Sequence, residues 1–125
     1  MERMADLDLH DVGRYVGAEL VDRNGERIGG IEEVYLNEAT ERPEWLRVSV
    51  GPMGLRSTLV PVDRLEDDNG VLVIGHEKAF VQAAPVYPEQ YGTLPPADEA
   101  RLFSYYRLPL EHFGGPHAAV PTRKG

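Results

Sequence analysis

Through the middle of the chain, apolar and polar positions alternate with the two-residue period of a half-buried strand. Over residues 45–50, Leu46, Val48 and Val50 share one parity, while Trp45, Arg47 and Ser49 share the other. Residues 15–22 read as an earlier strand carrying Val16, Ala18, Leu20 and Val21. Residues 56–62 read as a later one, in which Pro61 marks an edge or a strand end because it donates no ladder hydrogen bond. Val71, Leu72, Val73 and Ile74 are apolar on both parities, the pattern of a short strand covered on both sides. Turn signals separate these runs: Asn24-Gly25, the polar connection 37–44 with Pro43, Gly51-Pro52-Met53-Gly54, and Asp67-Asp68-Asn69-Gly70.

The stretch 21–36 breaks the alternation. Ile28 and Ile31 have opposite parity, so a flat strand would point them to opposite faces. At helical spacing Ile28, Ile31, Val34 and Tyr35 would form an apolar stripe, but Gly29 and Gly30 would each cost about 1 kcal/mol relative to Ala inside a helix. A bulge or sharp bend at Gly29-Gly30 reconciles the pattern with a strand, since glycine inside a strand often marks a barrel corner. Asn24-Gly25 then reads as the turn of a hairpin, with positive φ expected at both residues.

Five strands at close spacing by Gly75 are the pattern of a sandwich or a small barrel. Residues 77–84 fit either a short helical turn or a sixth strand, ended by Ala84-Pro85. Residues 86–96 hold three prolines and read as an extended segment with Tyr87 and Tyr91 as anchors. Residues 97–107 form the one convincing helix, with Asp98 and Glu99 at its positive end and Arg107 at its negative end. Leu102, Tyr105 and Tyr106 share a face with Glu99, so this helix is expected to dock on the sheet. Residues 1–12 read as a lead-in that lays Leu7, Leu9 and Val12 on the core. Residues 114–125 read as a disordered tail.

A length of 125 residues implies one domain with a core that needs no staples. The chain has no Cys, which removes disulfides, thiolate metal sites and Cys nucleophiles, and fits a cytoplasmic setting. A formal charge of −8, from 21 acids and 13 bases, disfavours direct nucleic-acid binding. No run approaches the roughly 18 apolar residues of a membrane span, and the N-terminal residues lack the apolar core of a signal peptide.

Gly17-Ala18-Glu19-Leu20-Val21-Asp22-Arg23-Asn24-Gly25-Glu26-Arg27-Ile28-Gly29-Gly30-Ile31-Glu32-Glu33-Val34-Tyr35-Leu36 resembles the opening of a PRC-barrel domain. Trp45-Leu46-Arg47-Val48-Ser49-Val50-Gly51, Leu59-Val60-Pro61-Val62 and Ala84-Pro85 continue that pattern in order, so the resemblance covers residues 13–86. The family includes the cytoplasmic domain of the photosynthetic reaction-centre H subunit, the C-terminal domain of a ribosome maturation factor, and many stand-alone proteins. The resemblance implies a mainly β fold: a small six-stranded barrel with a C-terminal helix docked on it. Residues 87–113 would then be an appendage of extended segment plus helix. It also implies a macromolecule-binding module that is not an enzyme and has no active site to transfer.

The residues themselves offer little chemistry. Asp22-Arg23-Asn24-Gly25 and Asp67-Asp68-Asn69-Gly70 echo calcium loops, but the bidentate Glu six residues after each Gly is absent, leaving Ile31 and His76 there. Of His10, His76, His112 and His117, only the last two, five apart towards the expected tail, approach a paired ligand spacing. Gly51-Pro52-Met53-Gly54 matches a nucleic-acid clamp in letters only, because that clamp joins helices. Glu32 and Glu33 are expected on opposite faces, where they cannot act as paired acid and base. No catalytic residue, metal or cofactor is therefore expected. Asn24, Gly25, Gly29, Gly30 and Gly70 read as turns and a bend. Tyr87, Tyr91, Phe103, Tyr105 and Tyr106 have two readings: anchors that pin the C-terminal third to the barrel, or a partner-binding surface. The functional expectation is a protein-interaction module, self-associating as a homodimer, with an unidentified protein partner. One alternative is a ribosome- or RNA-associated assembly factor acting through a basic protein. The other is a small-ligand binder.

Overall fold

The computed structural model describes residues 2–4, 9–86, 94–109 and 117–119. Among them are strands β1 (Glu2–Arg3), β2 (Glu19–Val21), β3 (Arg27–Asn37), β4 (Arg42–Val50), β5 (Arg56–Pro61), β6 (Leu65–Asp68), β7 (Val71–Ile74) and β8 (His117–Ala119). The helices are α1 (Leu9–Gly13), α2 (Lys78–Gln82) and α3 (Pro96–Tyr106). The pairing order is β1-β6-β7-β2-β3-β4-β5, with β8 laid against β3. The sheet is mixed because β2 and β7 run parallel while the other neighbours are antiparallel.

β5 and β6 lie five neighbours apart in this order, yet only Val62–Arg64 separates them in sequence. In a flat sheet they would stand roughly 24 Å apart, whereas four residue steps span at most about 14 Å. The sheet must therefore curl, and β2 to β7 form a half-barrel. Leu20, Val34, Leu46, Val48, Val60, Leu72 and Ile74 are fully buried in its core.

Several elements differ from the sequence reading. The first strand is only Glu19–Val21, because residues 14–18 turn back on α1 through bonds from Tyr15 N–H to Val12 O and from Val16 N–H to Gly13 O. The sixth strand is Leu65–Asp68, a stretch that its acids disguise as a turn, while residues 78–82 are helical. β7 buries one face only: Leu72 and Ile74 are enclosed, but Val71 is exposed. Pro61 closes β5, the edge strand at that end of the order. Within 114–125, the described residues 117–119 pair with β3 at Asn37, Leu36 and Tyr35.

β3 is the corner. Its first part pairs with β2 and its second with β4, and the exchange occurs between Gly30 and Ile31. The bulges flank the glycine pair. Val21 faces Arg27 and Leu20 faces Gly29, so Ile28 is an extra residue; Ile31 faces Val48 and Glu33 faces Arg47, so Glu32 is another. Each extra residue shifts the parity, which brings Ile28, Ile31 and Val34 into the core, whereas Tyr35, the next residue, is buried on the opposite face beside its cross-strand partner Trp45. Gly29 allows the corner to close, since a Cβ there would lie 1.7 Å from the carbonyl oxygen of Ser49. Gly30 is different: the nearest atoms to its Cβ position are 4.0 Å away, and its N–H donates to Ser49 Oγ at 3.0 Å.

Candidate functional site

Asp22 closes β2 and is 2 % exposed. Its Oδ1 accepts the N–H groups of Asn24 and Glu26, both at 2.8 Å, and its Oδ2 accepts that of Lys78 at 2.9 Å. Burial alone would raise this carboxyl, but those three backbone donors and the nearby Lys78 charge hold it below the ordinary Asp value. The echo of a calcium loop is thus a knot that ties the hairpin to α2. Gly25 takes positive φ (87°) whereas Asn24 does not, and Gly25 N–H bonds Asp22 O while Asp22 N–H bonds Glu26 O. This is a three-residue loop with a bulge at Gly25 in place of the expected two-residue turn. The two-residue form occurs instead at Asn69-Gly70, where both residues have positive φ (56° and 91°) between the paired Asp68 and Val71.

Glu32 and Glu33 do not face apart. The bulge at Glu32 turns both carboxylates to Arg47, whose side chain is 7 % exposed. Arg47 Nε lies 2.9 Å from Glu32 Oε1, and Nη1 lies 3.1 Å from Glu33 Oε1. Ser57 Oγ also donates to Glu32 at 2.9 Å, and the Tyr35 hydroxyl to Glu33 at 3.1 Å. With a guanidinium between the two carboxylates, the cluster is an ionic clasp across β3, β4 and β5.

The aromatic group is mostly internal. Phe103 and Tyr106 are buried, with ring centroids 6.3 and 6.5 Å from Trp45. Tyr105 is half-buried, stacks on Phe80 at 4.5 Å, and donates its hydroxyl to Phe80 O at 2.5 Å. As members of a presented surface, Phe103 and Tyr106 are corrected: they hold α3 to the sheet, because Trp45 points outward from the curl to meet them. Tyr87 and Tyr91 lie outside the described residues. Two partners had no signal in the sequence. His76 stacks on Phe80 at 4.6 Å and meets the edge of Tyr106 at 5.6 Å. Arg64 bonds His76 Nε2 through Nη1 at 3.1 Å and the Tyr106 carbonyl through Nη2 at 3.0 Å.

The exposed apolar feature lies elsewhere. Met53 is 90 % and Leu55 81 % exposed on the short 3-10 turn between β4 and β5. Met53 takes positive φ (61°), a conformation that costs an L-residue about 1–2 kcal/mol. The signal was available in the sequence: two large apolar residues stand inside a turn where polar ones are expected. A cleft of about 320 Å³ borders the other end of the sheet, beside Trp45, Pro43, Pro61, Phe103 and Leu108. Among the described residues, no three His, Asp or Glu side chains converge in a way that could hold a metal ion, and no helix is long and apolar enough to cross a membrane.

No curated protein matches the sequence. The family model that matches is the PRC-barrel domain, over residues 8–77.

Proposed function

The chain belongs to the PRC-barrel family, small β-barrel modules that generally serve protein–protein interaction, and we propose that it is a non-enzymatic adaptor that self-associates through the β4–β5 tip. The observation carrying this reading is the exposure of Met53 and Leu55 on a turn held in a strained conformation. Strain of this kind concentrates at functional sites. Enclosing either side chain in an interface is worth roughly 1.5–3 kcal/mol. Light scattering across a concentration series tests it: the wild type forms a dimer, and Met53→Ser with Leu55→Ser shifts it to monomer without lowering the melting temperature. A wild type that stays monomeric at the highest concentration defeats the homodimer.

A second reading has its own observation. Asp63, Glu66 and Asp68 are exposed around the β6 hairpin, and the chain carries a charge of −8. A basic protein, such as one assembled on RNA, fits this face better than RNA itself does. Co-sedimentation with ribosomal subunits that weakens steeply with salt supports this reading; its absence at low salt refutes it. Both readings place the protein in the cytoplasm, which cell fractionation tests.

A further inference from the structure

We infer that Arg64 and His76 form a proton-sensitive latch that holds α3 over Trp45 while His76 is neutral and releases it when His76 is protonated. The geometry fixes the protonation state. Arg64 Nη1 has only protons to offer, so His76 Nε2, 3.1 Å away, must accept with its lone pair and the ring carries its proton on Nδ1. Protonation removes that lone pair and leaves two cationic donors facing each other. The same guanidinium holds the carbonyl of Tyr106, the last residue of α3, at 3.0 Å, so displacing it loosens the helix end. His76 itself touches α3 through the Tyr106 ring and α2 through the Phe80 ring. Both contacts depend on where the imidazole sits.

The surrounding charges favour this direction. Arg64 faces His76 from the turn after β5. Arg23 faces it from the β2–β3 loop, where its N–H donates to His76 O at 3.2 Å. Glu77, the next residue in sequence, is paired with Arg23 at 2.9 Å. Tyr105 and Tyr106 contribute neutral phenols, both pushed up by burial. Burial first, then Arg64 and Arg23, lower the His76 value below its ordinary one. The released form therefore binds the proton more readily than the closed form. The closed form is fully favoured above about pH 6.5. Below that, the closed-to-released ratio falls by about tenfold per pH unit until the lowered value is reached.

Trp45 is the only Trp in the chain and packs against Phe103 and Tyr106, so its fluorescence reports whether α3 is seated. In the full chain, lowering the pH from 8 to 5 should shift Trp45 emission to the red and increase acrylamide quenching reversibly, while the far-ultraviolet dichroism of the sheet persists. His76→Gln keeps an acceptor for Arg64 and does not titrate, so its emission should stay at the pH 8 wild-type position throughout. A flat wild-type response overturns the latch, as does an unchanged transition in His76→Gln. If that variant does not fold, proton NMR of the wild type decides: a His76 ring titrating below 6.5 together with Trp45 supports the latch, and one titrating at or above 6.5 overturns it.

Discussion

Gly29 and Gly30 look alike in sequence but should respond oppositely to Ala. At Gly29 the new methyl would lie 1.7 Å from Ser49 O, 2.8 Å from Ser49 C and 2.9 Å from Ser49 Oγ. Cβ atoms keep at least about 3.0 Å from such neighbours, so the β4 backbone would have to withdraw by more than ~1 Å. Ser49 cannot do so freely, because it is paired with Ser57 in β5 and its neighbour Val48 is paired with Ile31. Overpacking of this kind costs about 1–3 kcal/mol. A ladder or Ser49 hydrogen bond lost in the adjustment adds about 1 kcal/mol, and the stiffer unfolded chain returns about 0.4–1 kcal/mol. The net is a loss of roughly 2 kcal/mol, a sizeable share of the ~5–15 kcal/mol that holds a domain together. At Gly30 the nearest atoms are 4.0 Å away and the backbone is not left-handed, so Ala should be neutral or stabilising by up to about 1 kcal/mol. Urea unfolding followed by circular dichroism should separate the two variants, with Gly29→Ala also melting on the order of 10 °C lower. Equal effects, or an unaltered Gly29→Ala, would show that the corner does not depend on this contact.

The remaining expectations concern buried polar groups. The Tyr106 hydroxyl is buried with no hydrogen-bond partner among the described residues, so Tyr106→Phe should raise stability by about 1 kcal/mol in denaturant titration; a loss of that size would reveal a partner. Asp22→Asn turns an amide toward the Lys78 N–H and should loosen α2. The wild-type carboxyl is lowered, so its contribution is complete above the ordinary Asp value and declines as pH falls through the lowered one. Stability measured from pH 6 to 3 should therefore fall less steeply in Asp22→Asn, and parallel curves would refute the knot. Arg47→Met leaves Glu32 and Glu33 side by side without a cation. It should cost roughly 2–3 kcal/mol at pH 7, below the ~3–5 kcal/mol of a fully buried pair because Glu32 is 35 % exposed. Thermal melts at pH 7 check this, and an unaltered melting temperature would show that the clasp does not hold the three strands together.

By itself the sequence determined the scaffold. Alternation at Leu46, Val48 and Val50, the Asn-Gly signals and the glycine pair were enough for a small strand-rich domain, sandwich or barrel, because local period and turn chemistry act over a few residues; the family resemblance chose the barrel. The candidate site was less legible. Asn24-Gly25 announced a hairpin but not its loop form, nor that Asp22 would tie that loop to Lys78, 56 positions away. Alternation put Glu32 and Glu33 on opposite faces; a bulge, visible only from the pairing partner, brought both to Arg47. The aromatic residues of α3 were apparent as a group, yet whether they faced a partner or Trp45 was decided by the curl of the sheet. Gly29 and Gly30 show the division most simply. Sequence could say that a bend needs glycine here, whereas only the approach of Ser49 says which glycine, since a steric limit exists only between atoms that the fold has brought together.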